Sequence, residues 1–176
     1  MSNGWLLDGA VKVRQSVTSE WERTGQPLIE GAVLREVKNV LAPDGDLVEV
    51  FRQDWQLGGE VAQVFQRNLS SGCVSAWHAH EHTTDRIFVH VGRAKIVLYD
   101  ARPESRTRSW VNELILGEAR PALLVVPPGI WHGVQNVSSE TVSLLNLVDR
   151  AYRYEDPDHW KLPPDSPEVP YRFEKP

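Results

Sequence analysis

Short hydrophobic runs separated by turn-forming residues dominate the chain. Seven runs of strand length, rich in Val, Leu, Ile and aromatic residues, lie at positions 47–51, 61–65, 87–91, 94–99, 113–116, 122–126 and 142–148. Turn signals such as Asp44-Gly45, Gly58-Gly59 and Pro128-Gly129 stand between them. About eight short strands at this spacing, without helical periodicity between them, predict an all-β sandwich or barrel.

The C-terminal segment has a different composition. Residues 156–176 contain six of the twelve prolines, which is typical of an extended arm packed on a barrel. We therefore expect a single domain, residues 1–176, with a core barrel at about 30–150, a C-terminal arm at 151–176 and an N-terminal arm. The acidic turn at 155–159 is interpreted as a solvated loop that precedes the arm, with a lip that contacts a metal ion or the substrate as the alternative.

Composition and charge narrow the functional classes. The 176 residues are 41% hydrophobic and 24% charged, as in ordinary globular proteins. The net charge of −5 argues against a nucleic-acid partner. The single cysteine, Cys73, excludes an intrachain disulfide. No apolar run approaches the ~20 residues of a membrane helix, and no signal peptide is recognisable, so we expect a cytoplasmic protein without membrane contact.

Three histidines alternate within a short stretch of the chain. His78, His80 and His82 follow one another at every second position. On a strand, this spacing points all three side chains to one face. If that face lines a barrel, the imidazoles share a small cavity, whereas a solvated loop or strand end is the alternative.

The surroundings of these histidines match the first cupin motif, G-x5-H-x-H-x4-E-x6-G. Gly72, His78, His80 and Gly92 occupy the motif positions, and Asp85 stands where glutamate is usual.

The second cupin motif, P-x-G-x2-H-x3-N, is matched by Pro127, Gly129, His132 and Asn136. The chain thus resembles the cupin superfamily, which implies an antiparallel jelly-roll barrel with its site at one mouth. The metal-binding residues under this resemblance would be His78, His80, Asp85 and His132, three imidazoles and a carboxylate that suit a divalent metal ion.

A longer resemblance extends from about residue 30 to the C-terminus. The residues that carry it are Gln66, Asn68 and Ser70 (Q-x-N-x-S), Trp77-His78 (L-H), Asp100, Arg102, Ser105, Thr107 and Trp110 (D-x-R-x2-S-x-T-x2-W), 128–133 (P-x-G-F-A-H-G), and Gly45 with Glu49 near the N-terminus. On these motifs the chain resembles the dTDP-4-dehydrorhamnose 3,5-epimerase family, whose fold is also a cupin barrel.

This second resemblance implies proton abstraction beside the ketone of a dTDP-4-keto-6-deoxyhexose. By motif position, His78 is the base, Asp165 orients it, and Arg86 stands where the family has an enolate-stabilising lysine. The substrate-binding residues would be Gln66, Asn68, Glu49, His132 and Arg108. The reaction needs no cofactor, and we expect a homodimer that binds a nucleotide-linked sugar.

Several family positions hold other residues. Ser75 replaces an arginine, and Leu145 stands at the position of the tyrosine that returns a proton to the sugar. Tyr152 and Tyr154 are the remaining candidates for that donor. Two other functions therefore stay open: a metal-dependent cupin enzyme, such as a small-molecule dioxygenase or isomerase with a divalent metal ion, and a non-catalytic ligand-binding cupin.

Overall fold

The described part of the protein consists of β-strands. The computed structural model describes residues 5–20 and 24–174, and it contains no α-helix within those ranges. None of its helical segments is long and apolar enough to span a membrane. The strands, with one 3₁₀ helix (Gln53–Trp55) between β3 and β4, are β1 Val33–Glu36, β2 Asn39–Ala42, β3 Gly45–Val48, β4 Gln63–Leu69, β5 Val74–Ala79, β6 Asp85–Val91, β7 Arg93–Asp100, β8 Val111–Gly117, β9 Ala122–Val126, β10 Ile130–Asn136, β11 Val142–Val148 and β12 Trp160–Lys161.

Two five-stranded antiparallel sheets form a jelly-roll barrel. The first has the strand order β1-β9-β6-β11-β4 and the second β12-β5-β10-β7-β8. Side chains alternate along each strand, so one set from each sheet meets in the interior. Ile87 and Val89 of β6 pack there in one buried cluster with Ile96 and Leu98 of β7. The predicted all-β cupin fold is confirmed.

The outer face of the first sheet is covered rather than exposed. Phe88, Leu123 and Leu147 point away from the barrel interior and form a second buried cluster. Partly buried side chains from residues 37–61, including Val48 and Phe51, pack on it. The β2–β3 hairpin and the 3₁₀ segment therefore make a lid over this sheet, and polar groups on that face do not meet the barrel interior.

The most specific family motif has a structural role. The buried carboxylate of Asp100 accepts hydrogen bonds from Arg102, from the Ser105 hydroxyl and from the Thr107 hydroxyl. Arg102 also donates to the carbonyl oxygen of Glu30. This network fixes the β7–β8 connection and ties the segment before β1 to it.

The chain after β11 crosses the barrel mouth and then runs along the second sheet. β12 pairs antiparallel with β5, and Lys161 lies opposite His78. Farther on, Tyr171 and Phe173 pack against the buried indole of Trp77. Residues 151–174 thus pass over the mouth and along the second sheet, while positions 175 and 176 lie outside the described residues.

Candidate functional site

A cavity of about 610 Å³ opens at one mouth of the barrel. Its walls are inward-facing side chains of β4, β5, β6, β10 and β11, and residues 150–161 form its outer edge. The volume lies in the range of small-molecule sites. The mouth of the barrel is therefore the candidate site.

Four imidazoles gather in this cavity. His78 and His80 come from β5 and its end, His132 from β10, and His159 from the segment before β12. The ring centroids of His78 and His132 are 6.1 Å apart, and those of His80 and His132 are 5.7 Å apart. The expected convergence of the two motifs is thus present. His82 lies at the exposed rim, where its side chain contacts Glu81.

His78 is held by contacts at both ring nitrogens. Its Nδ1 lies 2.9 Å from Nε2 of His159, and its Nε2 lies 3.0 Å from the Ser75 hydroxyl. Burial, followed by the charges of His132 and His159, lowers the pKa of His78 to about 3. The ring is therefore neutral near pH 7, so one of its two nitrogens carries a lone pair rather than a proton.

The acidic turn closes the site, contrary to its interpretation as a solvated loop. The carboxylate of Asp158 accepts hydrogen bonds from the backbone N–H groups of Glu81, His82 and Thr83 and from the Thr83 hydroxyl. These bonds fasten the turn to the β5–β6 connection. They place the neighbouring His159 over His78, a role that the acidic composition of the turn alone does not reveal.

Asp85 lies at the centre of the other imidazoles. Its Oδ2 is 3.1 Å from His80 Nε2 and 3.2 Å from His132 Nε2, and its Oδ1 accepts a hydrogen bond from Asn146. Burial alone would raise the pKa of Asp85, but its interactions with His132 and His80 outweigh burial and hold the pKa below its ordinary value.

Three of the four residues that the cupin motifs suggest as metal ligands form a compact group. Ligand atoms of His80, Asp85 and His132 all lie within 4.8 Å of one another. The fourth, His78, lies outside this group, and its two ring nitrogens contact His159 and Ser75.

Arg86 does not reach the cavity. Asp85 and Ile87 line the cavity, so Arg86 between them points to the opposite face of β6. Its fully buried guanidinium donates to backbone carbonyls, among them that of Leu57, and lies over the ring of Phe51. Its observed role is to anchor the covering segment, and it cannot stabilise an enolate in the barrel.

Asp165 and Leu145 also lie away from the site. Asp165 is exposed in the arm after β12 and does not line the cavity. His159 occupies the place next to the base that was expected for Asp165. Leu145 packs on the outer cluster, whereas its neighbours Leu144 and Asn146 face the cavity.

The expected sugar-binding residues of β4 face outwards. Gln66 donates to Asn68, and Asn68 accepts from the Ser143 hydroxyl, all on the face opposite the cavity. The alternate residues Phe65 and Arg67 line the cavity instead.

Two further expected substrate contacts are absent from the cavity wall of the described chain. Glu49 is exposed after β3 and pairs with Arg52, and Arg108 is exposed in the β7–β8 connection. His132 is the member of the proposed substrate-binding set that lines the cavity.

The cavity contains functional groups that the motifs do not mark. They include Lys161, Arg67, Asn146 and His159, whereas Tyr152, which also lines the cavity, was a candidate proton donor from the sequence. The inward direction of Asn146 follows from the alternation of side chains along β11 once the direction of one neighbouring side chain is known. The others depend on the register of β4 and on the path of the arm, which no motif fixes.

Residues 27–173 match the family described as dTDP-4-dehydrorhamnose 3,5-epimerase. The chain belongs to this family. Members of the dTDP-4-dehydrorhamnose 3,5-epimerase family are sugar epimerases, so the match agrees with the barrel and with the histidine at its mouth.

Similar proteins come from archaea and bacteria. The chain is 32% identical to the probable low-salt glycan biosynthesis epimerase Agl13 of Haloferax volcanii over 143 residues, 79% of this chain and 90% of that protein. It is 26% identical to the spore coat polysaccharide biosynthesis protein SpsL of Bacillus subtilis, over 83% of this chain and 97% of that protein. The solved structure of a dTDP sugar isomerase from Desulfovibrio desulfuricans G20 superposes with a TM-score of 0.77 and 27% identity, covering 81% and 90% of the two chains.

Proposed function

We propose that this protein epimerises or isomerises a dTDP-4-keto-6-deoxyhexose by removing a proton next to the ketone. The observation that carries the proposal is the half-buried, neutral His78 in the cavity wall, paired with a second imidazole. Membership in an epimerase family supports the same reaction class.

His78 Nε2 is the proposed base atom. A hydrogen bond from His78 Nδ1–H to His159 Nε2 leaves the lone pair of His78 on Nε2, on the side of Ser75. The Ser75 hydroxyl can donate to that lone pair and rotate away when substrate arrives. His159 thus takes the orienting role that an aspartate has in the family resemblance, and no redox cofactor is required.

Lys161 is the proposed stabiliser of the enolate. It lies opposite His78 in the β5–β12 pairing, and it lines the cavity. Its charge contributes to the lowered pKa of His78, after burial and the neighbouring histidines. An ammonium group near the ketone favours the negative charge that develops on oxygen.

Other cavity residues match further needs of the reaction. Arg67 faces the cavity from β4 and offers a guanidinium to the diphosphate, in place of the arginine that Ser75 replaces. Tyr152 lines the outer edge and can return a proton to the sugar, since Leu145 points away.

The assembly and location belong to the same proposal. The β2–β3 hairpin exposes Val40, Leu41 and Leu47, an apolar surface that supports a homodimer. A nucleotide-sugar enzyme of this kind would act in the cytoplasm.

Conversion of the nucleotide sugar, followed by proton NMR of the sugar ring, tests the proposal. We expect new sugar signals with the wild type and at least ~100-fold slower conversion with His78→Gln. His90→Gln is the matched control, because His90 does not line the cavity and contacts the Ser143 hydroxyl on the outer face of β6. Tight binding of the nucleotide sugar without any conversion would instead make the protein a binding module.

A further inference from the structure

The segment before the barrel is exposed along its length. Every residue from 5 to 16 is exposed, and Val11 and Val13 keep 86% and 90% of their surface accessible to solvent. The segment also precedes residues 27–173, the part of the chain that matches the epimerase family. Apolar side chains that stay exposed as a group indicate an interaction surface. We call residues 5–16 the N-terminal arm.

Part of the N-terminal arm has the sequence pattern of a β-strand with two different faces. Val11 and Val13 alternate with Lys12 and Arg14, so an extended chain turns the valines to one side and the cations to the other. The long cationic side chains can bend around such a strand towards acidic groups beside it. Within the described ranges, neither Lys12 nor Arg14 has an ion-pair partner.

A groove of about 600 Å³ on the outer face of the first sheet complements this pattern. It lies beside the β2–β3 hairpin and shares no lining residue with the cavity at the mouth. Its floor is apolar and its rim carries two exposed carboxylates; the floor residues are Val48, Val50, Phe88 and Leu145, and the rim residues are Asp46 and Glu118. Neither carboxylate has an ion-pair partner in the described part of the chain. We call this the outer groove.

The N-terminal arm and the outer groove of one chain lie at opposite ends of β8. Asn112, at the start of β8, donates a hydrogen bond to the carbonyl oxygen of Pro27 and so fixes the chain that leads to the arm. β8 has seven residues, so Glu118 beyond its end lies roughly 20 Å away. The Thr24 N–H donates to the carbonyl oxygen of Ser16, which shortens the reach of the arm. A second copy of the chain is therefore the occupant that the geometry favours.

We propose that the N-terminal arm of one copy docks in the outer groove of a second copy. The two valines would lie on the apolar floor, and Lys12 and Arg14 would pair with Asp46 and Glu118. By two-fold symmetry, the second arm occupies the groove of the first copy. An extended segment that binds through alternate side chains is a common mode of peptide recognition. The docking rests on the homodimer of the proposed function and not on its reaction.

Zero-length cross-linking of the full-length protein with a carbodiimide tests the contact. A mixture of ¹⁴N- and ¹⁵N-labelled chains should yield Lys12 joined to Asp46 or Glu118 in peptide pairs that combine both labels. Native mass spectrometry verifies that the labels have exchanged between dimers. Sedimentation across a concentration series measures the dissociation constant of the dimer in the same preparation.

Charge reversal provides matched variants. Lys12→Glu with Arg14→Glu reverses the arm, and Asp46→Lys with Glu118→Lys reverses the rim of the outer groove. Each double variant alone should dimerise about 10-fold more weakly, because like charges then meet at the contact. An equimolar mixture of the two should recover the wild-type dissociation constant as heterodimers, because each arm then faces a rim of opposite charge.

The outcomes separate the docking from the rest of the proposed function. Glu104→Lys with Glu140→Lys, two exposed acids outside the outer groove, is the control and should dimerise like the wild type. A dimer without Lys12 cross-links, or with single-label cross-links only, would overturn the docking and leave the homodimer standing. So would a mixture of the reversed variants that associates no better than each alone. A monomeric wild type would overturn the homodimer as well, and sugar conversion reports on the reaction separately.

Discussion

His78 Nδ1 lies 2.9 Å from Nε2 of His159, a residue 81 positions later in the chain. The contact joins the barrel to the segment that closes its mouth. Asp158 fixes that segment through the backbone of the β5–β6 connection. Since His159 contacts the proposed base and not the reacting carbon, it acts as a positioning residue.

The first prediction concerns this pair. His159→Ala should lower kcat about 100-fold with little change in KM, because the base loses the group that orients its ring. His159→Gln should retain more activity, since the amide oxygen still accepts a hydrogen bond from His78 Nδ1–H. Steady-state kinetics check both variants. Equal losses in the two variants, or a loss confined to KM, would contradict the positioning role.

The second prediction concerns the enolate. Lys161→Met should lower kcat about 100-fold, because the developing oxyanion loses its nearby cation. Lys95→Met is the control, as Lys95 pairs with Glu113 on another part of the second sheet. Full activity of Lys161→Met would contradict the assignment of Lys161 as the stabiliser of the enolate.

The third prediction separates proton removal from proton return. Tyr152→Phe should reduce inversion of the sugar while solvent exchange at the abstracted position continues. Tyr154→Phe should have a smaller effect, because its side chain is 81% exposed against 47% for Tyr152. Both rates can be read from one NMR time course. Loss of exchange together with inversion in Tyr152→Phe would contradict the assigned donor role.

The fourth prediction concerns stability. Burial alone would raise the pKa of Asp100, but hydrogen bonds from Arg102, Ser105 and Thr107 hold it well below 3.8. The folded protein therefore gains stability from this carboxylate above about pH 4 and loses it as pH falls further.

Replacing the Asp100 carboxylate measures its contribution to the free energy of unfolding. Asp100→Asn should cost about 3 kcal/mol at neutral pH and flatten the acid side of the stability profile. Urea unfolding across the pH range checks both effects. Asp165→Asn, at an exposed site, should change neither. An unchanged acid slope in Asp100→Asn would contradict the network.

Hydrophobic runs predict the buried strands well and the others poorly. The runs 122–126 and 142–148 coincide with β9 and β11, which are almost entirely buried. β5 and β10 carry histidines, serine and glutamine among apolar residues, so no hydrophobic run marks them. Their positions came from the spacing of the cupin motifs. β1–β3 are largely exposed: no hydrophobic run marks β1 or β2, and the run 47–51 overlaps β3 only at Leu47 and Val48.

The site was predictable where motif residues share a strand face. His78, His80, Asp85 and His132 converge as their spacing indicates. The outward direction of Arg86 follows from the inward direction of Asp85, since adjacent residues on a strand face opposite sides.

Other site residues depend on geometry that short motifs do not contain. Gln66, which matches the family motif, lies on the outer face of β4, whereas Arg67 faces the cavity. The path of the arm brings His159, not Asp165, to the base. Strand register after a loop of variable length and the course of a proline-rich arm are both set by tertiary packing.

Deuterium uptake from D₂O into a dTDP-4-keto-6-deoxyhexose tests proton abstraction by His78 most directly, because exchange does not require inversion. The wild type should incorporate deuterium at C3, beside the ketone, whether or not Tyr152 then inverts the sugar. His78→Ala should slow uptake at least ~100-fold while the nucleotide sugar still binds. Uptake at an unchanged rate in His78→Ala, or no uptake in a wild type that binds the sugar, would contradict the account.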